Sequence, residues 1–296
     1  MIKRTIDVSE AAYLRLKNQQ LLIERDSVVV GSVPIEDLGV LILQHSAIVI
    51  TQAAIVACQK NNVAVIFCDE RHLPYSLLLP LSEGHTLHNR ILQEQISISE
   101  PTRKRIWKRI VQEKISQQIL TLERFGVESA VLKRMVQKVK TGDTGNHEAQ
   151  AAQRYWPLLM GKKFRRDPNG DGINSILNYG YSIIRGLVAR ALVAGGLHPS
   201  IGIHHHNQYN SLALADDVME PFRPWIDWKV RLLAESQTHV QIDRDTKTEI
   251  LRLLDATVLY NKKSIPFMVA SHRLIADLKR AWNDNTKALS YPQIKG

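Results

Sequence analysis

The sequence predicts an α+β fold: a strand-rich, sandwich-like N-terminal domain over residues 1–82, followed by a larger all-α domain over 83–296. Three observations support this. Short runs rich in β-branched residues recur from Thr5 to Leu81. A linker-like Pro80-Leu81-Ser82-Glu83-Gly84 follows. Beyond it, apolar residues recur at helical spacing, most plainly over 173–194, where Arg185 and Arg190 are the only charges.

In the first third, 5–8 and 13–17 alternate between apolar and polar residues, and 21–24 follows the turn-like Asn18-Gln19-Gln20. The run 27–33 is β-branched and stops before Pro34, which cannot donate to a ladder. Residues 41–43, 48–50 and 63–67 predict buried strands, and QAAIVACQK at 52–60 predicts one short helix. Strands this short and closely spaced imply two small packed sheets. This third carries no histidine–carboxylate cluster and is assigned to dimerisation and partner docking.

The remainder predicts helices. One covers 85–98, and Pro101 opens a longer one to Phe125, with Ile106, Ile110, Ile115, Ile119 and Leu122 as its apolar stripe. Arg103, Lys104, Arg105, Lys108 and Arg109 lie off that stripe, either as a solvated face or as a phosphate-binding face. A third helix covers 128–140. Asn146 is a candidate N-cap of the next, with Glu148 in its first turn. The basic loop Lys162-Lys163-Phe164-Arg165-Arg166 leads to the turn 167–172, which lacks the terminal glutamate of a calcium loop. The mostly apolar helix 173–194 is the expected spine, and further helices are expected near 219–235, 244–259 and 265–283.

With 39 Lys plus Arg against 29 Asp plus Glu, the net charge is +10, which favours a polyanionic partner, nucleic acid before membrane. Cys58 and Cys68 lack metal-ligand spacing and are expected in the core. No signal-peptide pattern opens the chain, and the most apolar window, 40–58, is too interrupted to span a bilayer, so a cytoplasmic setting is expected.

Chemistry concentrates in LHPSIGIHHHNQYNSLALADDVMEPFRPWID at 197–227. Histidines, aspartates and a glutamate among apolar residues are costly to bury unless they bind something. Imidazole with carboxylates is a recurrent divalent-metal set. The plainer alternative is a polar loop with Asp216-Asp217 capping a helix that begins near Val218, and Glu220 as a first-turn acid.

Four motifs occur in order: Asn146-His147-Glu148-Ala149 with Tyr155-Trp156, Leu177-Asn178-Tyr179-Gly180-Tyr181, Gly196-Leu197-His198-Pro199 with Gly202-Ile203, and Asp217-Val218-Met219-Glu220-Pro221-Phe222-Arg223-Pro224. Together they resemble the CRISPR-associated integrases of the Cas1 family, which insert new spacers into CRISPR arrays. The compact length and GIHHHNQYN look most like members from type II systems. The resemblance implies metal ligands at Glu148, at a histidine within 204–206 and at Glu220, holding Mg²⁺ or Mn²⁺. His205 is chosen for its spacing of fifteen from Glu220 (220 − 205), while Asp217 stands behind them or beside the substrate. Neighbouring side chains of an extended segment face opposite ways, so either His205 or the pair His204 and His206 faces the pocket.

The implied reaction is attack of a spacer 3′-hydroxyl on a repeat-boundary phosphodiester, with water in its place giving endonuclease activity. The implied partners are double-stranded DNA (prespacer and repeat), a second copy of the chain, the small Cas2 protein and the effector nuclease, with no membrane. DNA contacts are expected from Arg103, Lys104, Arg105, Lys108, Arg109, Lys162, Lys163, Arg165 and Arg166. The alternatives are a stand-alone metal nuclease on branched DNA, a non-catalytic DNA-binding scaffold and, more remotely, a two-histidine, one-carboxylate iron site.

Overall fold

The computed structural model describes residues 3–80, 87–236, 241–284 and 289–294. The N-terminal strands are β1 (Arg4–Val8), β2 (Tyr13–Lys17), β3 (Gln20–Arg25), β4 (Val28–Pro34), β5 (Leu38–Leu43) and β6 (Val49–Ile50). Helix α1 (Gln52–Lys60), β7 (Ala64–Cys68) and β8 (Pro74–Leu78) complete this part. Thr51 starts α1 by accepting from the Ala54 amide. The strands form two four-stranded sheets, in the orders β1-β5-β7-β8 and β4-β3-β2-β6. In the first, β1, β5 and β7 run parallel and β8 is antiparallel to β7.

Alternation along β5 and β7 explains how the two parts of the molecule join. Leu41, Leu43 and Val65 face the second sheet and α1, in a core with Leu14, Leu21, Val33 and Cys58. Val40, Ile42, Ala64 and Ile66 face the other way and belong to the core of the helical region. Strands buried on both faces read as continuous apolar runs, which is the pattern here.

The helical region consists of α2 (His88–Ile96), α3 (Glu100–Arg124), α4 (Ala130–Lys138), α5 (His147–Met160), α6 (Ile173–Ala194), α7 (Ala213–Met219), α8 (Arg223–Ser236) and α9 (Arg244–Leu251). Then come β9 (Thr257–Tyr260), β10 (Lys263–Pro266), α10 (Phe267–Asn283) and β11 (Gln293–Ile294). Ser99 caps α3 by accepting from the Thr102 amide, with proline in the first turn as expected. Helix α6 lies against β7 and β8 on one side and against α7, α8 and α10 on others. No helix among the described residues is long and apolar enough to cross a membrane.

Several expectations are corrected. The helix placed at 244–259 stops at Leu251, and β9 follows, because Thr257-Val258-Leu259-Tyr260 alternates exposed and buried and pairs with β10 and β11. A three-stranded sheet therefore stands inside the helical region. Strand β8 was missed because Pro74 and Ser76 interrupt its apolar pattern. Asp216 and Asp217 do not cap a helix starting at Val218: α7 begins at Ala213 and both lie within it. The 82/83 boundary and residues 81–84 of the linker, like the first two residues of the expected 85–98 helix, lie outside the described residues.

Helices α6 and α8 meet closely at Gly180, where a Cβ would stand 2.6 Å from Ile226 Cγ2. Gly180→Ala is expected to lower unfolding stability by roughly 1–3 kcal/mol, the usual cost of overpacking a well-filled core. Denaturant unfolding at constant m-value measures this, and an unchanged midpoint would contradict the close approach.

Candidate metal-binding active site

Glu148 stands in the first turn of α5. Asn146, expected to cap that helix, adopts a left-handed backbone (φ +51°) and makes no side-chain cap. Asp143 does so instead: its Oδ1 accepts from the His147 amide and its Oδ2 from the Glu148 amide, both at 2.9 Å. A buried carboxylate at a helix N-terminus is favourable there, and it fixes the backbone that carries Glu148.

Glu220 opens the single 3₁₀ turn, Glu220–Phe222, that joins α7 to α8. It is buried, and Arg223 Nε lies 2.9 Å from its Oε1. The two glutamates, 72 residues apart (220 − 148), meet on one cation. Lys114 of α3 contacts Glu148 Oε1, and its Nζ lies 2.5 Å from Glu220 Oε2. Lys114 is thus the cation common to both carboxylates.

Burial alone would raise the Glu220 pKa, but Arg223 and Lys114 outweigh it and hold the carboxyl at about 2. Burial would likewise lower Lys114, yet Glu220 and Glu148 turn the shift upward. These groups stand around a cavity of 250 Å³ that Trp156, Arg166, Tyr181 and Asp227 also line.

The histidine run lies on Asp217, which is fully buried. Asp217 accepts from the amides of Ile203 (2.6 Å), His204 (2.9 Å) and His205 (3.3 Å), and its Oδ1 lies 2.6 Å from His205 Nδ1. That hydrogen bond raises the His205 pKa and leaves its second ring nitrogen free of Asp217. The tight turn needs Gly202, where a Cβ would stand 2.3 Å from the His205 carbonyl oxygen. His204 stacks flat on Trp107, with centroids 4.1 Å apart and planes 3° apart, and burial lowers its pKa. His206 lines a cleft with Arg103, Lys104 and Trp107.

The structure thus brings Glu148 and Glu220 together, and gives His205 to Asp217. Among the described residues no three histidine, cysteine or acidic side chains form a ready-made metal cage.

The basic residues fall into different surroundings. Arg105 donates to the Ala281 carbonyl at 2.7 Å and Arg109 to that of Leu289 at 3.1 Å, so both fasten the C-terminal segment. Lys104 pairs with Glu100 at 2.6 Å, and Arg103 reaches the Ile96 carbonyl at 3.3 Å. Lys108 lines a shallow basic depression with Lys138, Lys140 and His147. Lys162 and Lys163 are exposed, while Arg165 bonds the carbonyls of Lys162 and Phe164. Arg166 is built into the site: it donates to Asn174 and Asn178 and lies 5.3 Å over the Tyr181 ring.

Sequence reasoning missed Lys114, although Ile106, Ile110 and Lys114 share one face at i, i+4 and i+8, so the stripe had carried a charge inward. It also missed Asp227, which accepts from the hydroxyls of Tyr155 (3.1 Å) and Tyr181. Burial pushes the Asp227 carboxyl up to about 7, partly offset by those two tyrosines.

The family profile described as "CRISPR associated protein Cas1" matches residues 8–258. A CRISPR-associated endonuclease Cas1 from Neisseria meningitidis serogroup C (strain 8013) is 32% identical over 298 residues, covering 99% of this chain and 97% of that one. The chain belongs to the Cas1 family. The fold agrees: a structure described as a casposase bound to integration product superposes with a TM-score of 0.77 at 19% identity, covering 98% of this chain and 93% of that one. A chain of a partial Cas6-RT-Cas1–Cas2 complex superposes at 0.65 and 17% identity, covering 99% and 100%.

In this Cas1 chain the folded pKa of Asp227 lies above its ordinary value of 3.8, so the stability it contributes is full below about 4 and is lost as pH rises through about 7. Asp227→Asn stays neutral throughout. Relative to that variant, the natural chain should lose stability between pH 4 and 7, approaching 1.4 kcal/mol per pH unit at the steepest. Parallel pH–unfolding curves would contradict the shift.

Proposed function

We propose that this chain is a metal-dependent DNA integrase and endonuclease that inserts new spacers into a CRISPR array, joining a spacer 3′-hydroxyl to a repeat-boundary phosphodiester. The observation that carries this reading is the meeting of Glu148 and Glu220, from two distant elements, on a single buried cation.

The donors fit a hard divalent ion: two carboxylates from distant elements already converge on one positive charge. Glu148 and Glu220 would hold Mg²⁺ or Mn²⁺, with His205 as the third ligand through the nitrogen that Asp217 leaves free. A carboxylate behind a metal-binding imidazole is a common orienting partner. When bound, such an ion polarises a phosphodiester and lowers the pKa of a hydroxyl or water.

The chain's own residues do the rest. Arg223 keeps Glu220 ionised, Asp217 fixes the tautomer and direction of His205, and Arg166 brings positive charge to the cavity beside the carboxylates. In strand transfer the new O3′–P bond replaces an old P–O bond, so no protein nucleophile is needed. Arg103, Lys104, Lys108, Lys162 and Lys163 supply phosphate contacts. The internal bonds of Arg105 and Arg109 suit them to carrying the C-terminal segment beneath that surface.

We extend the reading to assembly: a homodimer using the strand-rich region 1–82, built on a small Cas2 partner so that two sites take the two ends of one DNA duplex in the cytoplasm. The likeness to a chain of a Cas1–Cas2 complex supports this arrangement. The Neisseria relative and the GIHHHNQYN segment support a type II system, with its effector nuclease as supplier of prespacers.

Strand transfer on a labelled prespacer with a supercoiled repeat plasmid and the Cas2 partner tests the assignment. Glu148→Ala, His205→Ala and Glu220→Ala should each abolish product while DNA binding persists, and Asp217→Ala should lower the rate by roughly 10–100-fold. An active Glu148→Ala or Glu220→Ala would refute the site. An active His205→Ala beside an inactive His204→Ala or His206→Ala would move the third ligand. In a second assay, replacing Arg103 and Lys104 with alanine should flatten the salt dependence of duplex binding by roughly 0.9 for each phosphate no longer neutralised. An identical slope would return these two residues to a solvated face.

A further inference from the structure

We propose that Lys114 is a built-in counter-ion standing between Glu148 and Glu220, which a divalent ion must displace in order to load, so that this lysine sets the metal affinity of the site. The inference rests on the reading of Glu148 and Glu220 as the carboxylates that take the metal.

A lysine inside an apolar helix stripe is costly unless its charge is paired. Lys114 follows Ile110 by one turn, on the stripe face of α3, and its side chain is only 10% exposed. The ion partners of its ammonium are the two glutamates, one at 2.5 Å. It therefore occupies the place where the carboxylates converge.

Lys114 and Arg223 together match Glu148 and Glu220, so this quartet is neutral. Adding a divalent ion without moving anything would leave an excess of two positive charges in a mostly buried site, with the ammonium close to the ion. Like charges at such spacing repel strongly in a poorly solvated environment. Arg223 does not stand in the way, because it grips the other oxygen of Glu220 and lies over the Tyr181 ring at 4.7 Å. Lys114 is the cation that must leave, and the 250 Å³ cavity it lines gives its flexible stem somewhere to go.

A purely structural ion pair makes the opposite forecast. In that case removing the lysine leaves two buried carboxylates facing each other and spoils the site for any ligand.

The test titrates Mn²⁺ into the full chain and reads free Mn²⁺ by electron paramagnetic resonance, for the natural protein, Lys114→Met, Glu148→Gln and the double variant. Lys114→Met is expected to bind Mn²⁺ about tenfold tighter or more, since it removes the competing charge. It should also melt at a lower temperature than the natural protein in chelator and recover on adding Mn²⁺. Glu148→Gln should lose binding in both backgrounds. Unchanged or weaker binding by folded Lys114→Met, with binding still lost in Glu148→Gln, overturns the displacement and leaves the metal assignment standing. Equal binding by the natural protein and Glu148→Gln overturns the metal assignment and the displacement with it.

A second measurement needs no variant. Acetylation of the Lys114 amine, read by mass spectrometry, should rise several-fold on adding Mn²⁺ while that of Lys60 stays constant. Protection of Lys114 that is the same with and without Mn²⁺, in protein shown to have bound it, overturns the displacement.

Discussion

Two carboxylates brought onto one buried ammonium are the interaction on which the arrangement of the helical region turns. Glu148, Glu220 and Lys114 come from three elements, and each must be aimed by something else. Asp143 fixes the start of α5, the 3₁₀ turn re-aims the chain between α7 and α8, and the face of α3 that buries Ile106 and Ile110 turns Lys114 inward. An unpaired charge here would cost several kcal/mol, so each of the three groups depends on the other two being in place.

A second layer of buried polar groups supports the first. Asp217 gathers three backbone amides and the His205 ring, which shapes a loop that has no regular structure of its own. Asp227 accepts from the hydroxyls of Tyr155 and Tyr181, and Arg223 lies over the Tyr181 ring. These networks explain why a site lined by glutamates, lysine and arginines is found deep against a core rather than on an open face. They also tie function to fold: α6 carries Tyr181 into the site and packs its opposite side on the strands of the N-terminal sheet.

The sequence made much of this legible, for identifiable reasons. Period-two runs of β-branched residues marked most N-terminal strands, and α1 and α6 carry the same bounds in sequence and structure because each is bracketed by clear stop signals. The small C-terminal sheet was hidden, since Thr257–Tyr260 is four residues long and follows a helical pattern without a break. Glu148 and Glu220 could be singled out through motif order, but the element that brings them together could not be read from spacing. Lys114 lies in neither motif, and its only trace was a charge on the buried stripe of α3. Capping by Asp143 rather than Asn146 depends on the left-handed backbone at residue 146, which residue type alone does not determine.

The most direct test of the account is an anomalous-difference map at the manganese edge from crystals of the full chain grown with Mn²⁺. One peak is expected between Glu148 and Glu220, with an oxygen of each at roughly 2.1 Å, the spacing of a hard divalent ion, and Lys114 withdrawn from both carboxylates. A map with no peak at these glutamates, or with Lys114 still seated on both beside a bound ion, would contradict it.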